Sequence, residues 1–132
     1  ALGLEVATDE LLREISFGDW DGHTNEEVAE KWPEIFQSWR GSWTESPPNG
    51  ESLEAFDARI KKVRKAILEK YRGQTVVVVA HVMPIRGFLT LAMDAGASGY
   101  WRPQVAPCSV TVIRHWGEDF AELVTANFTA HL

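Results

Sequence analysis

Apolar positions recur along this chain in two rhythms, and the change between them falls at Gly73. Before it, Val28, Trp32, Ile35, Phe36 and Trp39 keep the three-and-four spacing of an amphipathic helix, and Leu53, Phe56, Ile60, Val63, Ile67 and Tyr71 keep it again. Thr24 to Glu27, TNEE, is a capping box that starts the first of these helices. Pro33 removes a backbone donor inside it and predicts a kink or a restart. Ser52 can cap the second helix, which should end before Gly73. On its opposite face Lys61, Lys62, Arg64 and Lys65 interleave with Glu54, Asp57 and Glu69, which predicts a solvated face rather than a binding patch.

After Gly73 the pattern changes to Thr75 to Arg86, TVVVVAHVMPIR. Periodicity cannot choose strand or helix for so short a run, but β-branching, with Gly73 before it and Pro84 after it, favours a fully buried strand of the kind found in parallel sheets. A helix follows from Pro84 to about Ala95, with Pro84 suited to its first position. His81 then lies where a strand gives way to a helix, the place at which open α/β sheets bind ligands and helical N–H groups point at anions. The competing reading is a turn histidine satisfied by backbone groups. Gly99 to Pro107 is irregular, and Ser109–Ile113 and Ala121–Thr125 alternate as two strands of a hairpin joined through Gly117-Glu118-Asp119.

These elements predict a three-layer α/β fold with an antiparallel edge. A buried parallel strand needs parallel neighbours, and no convincing one precedes Gly73. Ala1 to Gly3 reads as the tail of a helix, followed by a short extended Leu4–Val6 with no start signal. The expectation is therefore that an N-terminal part is absent or supplied by another chain.

With 132 residues, 45% of them hydrophobic and including six Trp and six Phe, the chain has apolar material for one core. A net charge of −6 leaves no broad basic face for a nucleic acid or an anionic membrane. The lone Cys108 excludes an internal disulfide, and there is neither an apolar run of about 18 residues nor a leader pattern. A soluble, cytoplasmic protein is the expectation. TESPPNG at 44–50 is the most linker-like stretch and reads as a loop within the domain.

The densest chemistry lies in Leu11 to Gly22, LLREISFGDWDG. Glu14, flanked by Leu12 and Ile15, is a candidate general acid if partly desolvated; the alternative is an exposed turn residue. Asp19 and Asp21 could share a Mg²⁺, but acids beside glycine more often close turns. Cys108 to Arg114 has the C-x5-R spacing of cysteine-dependent phosphatases, yet the intervening SVTVI is glycine-free and β-branched and should form a strand without an amide nest. D-x-D at Asp19 is followed by His23 where an aspartate phosphatase has Thr. The histidines at 23, 81, 115 and 131 show no metal spacing.

Taken together, LREISFGDWDGHT, PPNGES, TVVVVAHVMPIRGFL and the closing CSVTVIRHW and AELVTANFTAHL resemble the histidine phosphatase (phosphoglycerate mutase-like) superfamily in order and spacing. The nearest likeness is to α-ribazole phosphatase-like proteins and to phosphatase domains fused to bacterial ribonuclease H. The resemblance implies a three-layer αβα fold and hydrolysis of small phosphomonoesters through a phosphohistidine, without metal or cofactor. It implies that Glu14 protonates the leaving oxygen and then activates water, and that His81 binds the phosphoryl oxygens. It further implies that Gly22, His23 and Val82 contact substrate, with the Trp39 to Pro48 region on the leaving-group side. For His23 the residues themselves point rather to an exposed loop histidine.

The family's nucleophile lies in an R-H-G motif, which this sequence lacks. Its second phosphate-binding arginine lies in an S-x-x-x-R segment that normally precedes an A-L-G-L like that at Ala1–Leu4, and by the resemblance that segment is not part of this sequence. By the resemblance, residues 1–132 are the C-terminal major part of a single domain lacking its first strand and helix. The chain alone is then expected to be inactive, with a non-catalytic binding module as the rival reading. The expected partner is a small phosphorylated metabolite, with no nucleic acid and no membrane. Homodimerisation, exchange of a segment between chains and a domain fused upstream stay open.

Overall fold

A computed structural model describes residues 3–132, so the helix tail expected over the first residues lies outside the described residues at Ala1 and Leu2. Four helices and one hairpin make up the frame: α1 (Asn25–Lys31), α2 (Pro33–Trp39), α3 (Leu53–Lys70), α4 (Val82–Met93), β1 (Val110–His115) and β2 (Ala121–Phe128). The capping box at α1 is complete, with the Thr24 hydroxyl accepting from the Glu27 N–H at 3.2 Å and the Glu27 carboxylate accepting from the Thr24 N–H at 2.8 Å. That backbone bond, followed by the charges of His23 and Lys31, holds the Glu27 carboxyl below its ordinary range. Pro33 restarts the helix rather than kinking it, because α1 ends at Lys31 and Pro33 opens α2 at the position where its missing N–H costs nothing. The Ser52 hydroxyl caps α3 by accepting from the Ala55 N–H at 3.2 Å.

Two apolar clusters result. Ile15, Leu53, Phe56, Ile60, Val63, Met83 and Tyr100 form the larger, between α3, α4 and the loops that cross them. Trp20, Val28 and Trp39 form the smaller, closed by Phe17, Trp32, Ile35 and Phe36. The aromatic stripe of α1 and α2 is thus largely core, as T-shaped pairs of Trp20 with Trp39 and with Phe36 show.

The α3 face holds two surprises. Asp57, expected on the solvated side, is buried; it accepts from the Tyr100 hydroxyl at 2.7 Å and pairs with Lys61 at 2.7 Å. Arg59 is buried too, while Ile67 and Tyr71, expected inside, are half-buried. A helix face that meets polar loops can bury charge wherever those loops supply partners, which hydrophobic spacing does not register.

The expected buried strand over Val76–Ala80 is corrected by the structure. These residues take part in no ladder, and Val77 and Val79 are 72% and 90% exposed while Val76 and Val78 are each 37% exposed. Burial of a parallel strand is conferred by neighbours on both sides, and among the described residues the only sheet is the β1–β2 hairpin. That hairpin runs antiparallel, pairs Val110 with Phe128 and His115 with Ala121, and packs on α4. α4 begins two residues before Pro84, so His81 is its N-cap.

Candidate active site

Two loops are clasped together just before α3. Backbone bonds join Asp19 N to the Pro48 carbonyl at 2.9 Å and Glu51 N to the Ser16 carbonyl at 2.8 Å, so the SFGDW and PPNGES stretches lie side by side. Gly18 permits this contact: its φ is +54°, and a Cβ there would lie 2.2 Å from the Pro48 oxygen. The Asn49 amide donates to both Asp19 oxygens, at 3.0 and 3.2 Å. Asp19 therefore serves a loop contact, and among the described residues no three His, Cys, Asp or Glu side chains converge as metal ligands.

Glu14 lies two residues before the clasped stretch, half-buried as its flanking Leu12 and Ile15 suggested. One carboxylate oxygen accepts from the Ile15 N–H at 2.9 Å and from the Met83 N–H at 3.1 Å. Met83 is the second residue of α4, where N–H groups have no intrahelical acceptor, so the carboxylate caps this helix from outside. His81, two residues earlier, is exposed and extended at φ −88°, ψ 179°. Glu14 and His81, sixty-seven positions apart in sequence, are thus brought to one helix terminus. Val82 opens α4 at the same place and is also exposed.

The other expected contacts have local partners of their own. Gly22, at φ +83°, is exposed, and His23 is half-buried with its ring against Trp32 and its Nε2 2.6 Å from Lys31 Nζ. The partners of His23 are thus Asp21, Lys31 and Trp32, none shared with Glu14 or His81. A cavity of about 340 Å³ lined by Trp43, Asp57, Lys61 and Thr90 includes neither Glu14 nor His81. Cys108 is exposed and precedes strand β1, in which Arg114 pairs with Glu122 at 2.9 Å, so C-x5-R forms no anion nest.

Sequence reasoning missed Arg59. Its guanidinium donates to the carbonyls of Leu11, Arg13 and Glu14 at 2.6, 2.9 and 3.0 Å, and to both Glu51 oxygens at 2.7 and 2.9 Å. The signal available was weak: an Arg one position beyond the apolar stripe of α3, eight residues after an acid in a loop.

Comparison with known proteins assigns the family. The profile of the histidine phosphatase superfamily (branch 1) matches residues 1–129. A bifunctional protein of Mycobacterium tuberculosis is 36% identical over 132 residues, which are 100% of this chain and 36% of that protein. Phosphoserine phosphatase 1 of Hydrogenobacter thermophilus is 34% identical over 137 residues, covering 100% of this chain and 63% of its own length. Among solved structures, mycobacterial glucosyl-3-phosphoglycerate phosphatase superposes with a TM-score of 0.79 at 26% identity, over 96% of this chain and 66% of that one. The α-ribazole phosphatase of Shigella flexneri gives 0.75 at 27% identity, over 95% and 62%. The chain therefore spans little more than a third of the mycobacterial relative and less than two thirds of the Hydrogenobacter one. Nearly every residue takes part in these matches, and the chain belongs to the histidine phosphatase superfamily, with the α/β fold of that family.

Proposed function

We propose that this chain is the C-terminal major part of a phosphomonoesterase domain that hydrolyses a small phosphorylated metabolite through a phosphohistidine. The observation that carries the reading is the Glu14 carboxylate bonded to the Met83 N–H, two residues beyond His81 at the N-cap of α4. An acid and an imidazole at one helix N-terminus meet the two needs of phosphoryl transfer from an alkyl ester: charge stabilisation at the equatorial oxygens and a proton for the leaving oxygen.

In the first step a histidine nitrogen from outside this sequence attacks phosphorus; the P–N bond forms, the P–O ester bond breaks, and Glu14 gives its proton to the departing alkoxide. His81 donates to the phosphoryl oxygens, and the Val82 N–H at the start of the helix adds to that field. In the second step the Glu14 carboxylate takes a proton from water, which attacks phosphorus and releases phosphate and the histidine. No metal or cofactor enters either step. Gly22 and His23 line the leaving-group side of the substrate in this reading. A cytoplasmic location accords with the single cysteine.

The test is hydrolysis of p-nitrophenyl phosphate from acidic to neutral pH without metal, by the full-length natural protein and by residues 1–132. Activity is expected in the full-length protein alone. Glu14→Gln should cost about 10²–10⁴-fold, and His81→Ala about 10²–10³-fold in kcat. An inactive, folded full-length protein would favour the second reading, a non-catalytic module of the same fold. That reading draws on the lack of an R-H-G motif in these 132 residues.

A further inference from the structure

We infer that Arg59, locked by Glu51, is the positioning residue for Glu14, and this rests on the proposed acid role of Glu14. The segment Leu11–Glu14 belongs to no strand, and its carbonyls at Leu11, Arg13 and Glu14 find no ladder. All three turn to one guanidinium, which also meets the Glu51 carboxylate with a two-pronged contact. Arginine has five N–H donors in a fixed plane, and here five acceptors take them. The group is 7% exposed and lies 4.4 Å over the Phe56 ring, so its plane is held by packing as well.

Glu14 is consequently held at both ends. Its carbonyl is fixed to α3 through Arg59 at 3.0 Å, and its carboxylate to α4 through Met83 at 3.1 Å. Arg59 touches no reacting atom. It sets where the main chain of Glu14 sits relative to His81, and displacement of a reacting group by about 1 Å costs on the order of 10²-fold in rate. Lysine cannot replace it, because an ammonium has three donors and no planar fork. The same argument gives Glu51 its role: without its carboxylate the fork can rotate away from the loop.

The test uses the full-length protein and compares kcat/KM for an alkyl phosphate with that for 2,4-dinitrophenyl phosphate, whose leaving group needs no proton. kcat/KM reports the step in which the ester bond breaks. Glu14→Gln should lose activity on the alkyl ester and little on the dinitrophenyl ester. Arg59→Lys should reproduce that selectivity, with a loss of about 10²-fold on the alkyl ester only, and should add little in the Glu14→Gln background. If Arg59→Lys does not fold, Glu51→Gln carries the same expectation. Equal losses on both esters, no loss, or full additivity with Glu14→Gln would reduce Arg59 to a structural anchor and overturn the inference. A Glu14→Gln variant with no leaving-group selectivity would instead overturn the acid role itself, and the inference with it.

Discussion

Replacing Gly18 by alanine tests whether the clasp between SFGDW and PPNGES is as tight as the distances say. The new Cβ would lie 2.2 Å from the Pro48 oxygen, 2.4 Å from the Gly50 nitrogen and 2.5 Å from the Asn49 carbonyl carbon, all backbone atoms that no side-chain rotation can clear. The loops must part, and the Asp19–Pro48 and Glu51–Ser16 bonds go with them. Two such bonds are worth about 1–3 kcal/mol together. An alanine in the left-handed region adds about 1–2 kcal/mol, offset by about 0.4–1 kcal/mol from the stiffer unfolded chain. Gly22 is the control: its φ is +83°, but a Cβ there meets nothing within 4 Å. Gly22→Ala should therefore show the backbone strain alone. The assay is urea denaturation of the two variants and the parent, with a predicted gap of about 1–3 kcal/mol between the alanines. Equal losses for Gly18→Ala and Gly22→Ala would refute the clasp as an energetic unit.

Three further outcomes follow from buried and half-buried polar groups. Tyr100→Phe should cost about 1.5–3 kcal/mol in denaturant unfolding, since it strips the buried Asp57 carboxylate of a 2.7 Å hydrogen bond; a neutral result would mean that Lys61 alone satisfies Asp57. Burial and the bond to Asp57 push the Tyr100 phenol far above its ordinary range, so its absorbance should not titrate before the protein unfolds in alkali. Burial, and then the nearby Arg64, hold His115 below its ordinary 6.5. The unfolded chain thus binds that proton first, so stability falls as pH drops through about 6.5 and is regained on raising it. His115→Gln should flatten this part of the stability–pH curve, and an unchanged slope would remove His115 from the account.

The helices were legible in the residues because their signals are local. A capping box, a proline at a first position and an apolar stripe act within a few residues of chain, and α1, α2 and α3 appear where TNEE, Pro33 and Ser52 place them. The hairpin was equally local. Glu14 and His81 stood out as candidates by their places in the chain, an acid between apolar residues and a histidine just before a helix, but each had an ordinary competing reading, and only the resemblance gave them roles.

What the tertiary structure alone decided is which groups meet. The Glu14 carboxylate on the Met83 N–H and the guanidinium of Arg59 on three loop carbonyls join residues more than forty positions apart, and no periodicity reports such a distance. Asp57 is buried because Tyr100 comes to it. Val76–Ala80 shows the converse: its composition suits a buried strand, but a strand is buried by the chains beside it, and among the described residues none lies there. Local sequence determines which conformations a segment can adopt; the partners that satisfy or cover it are a property of the assembled fold.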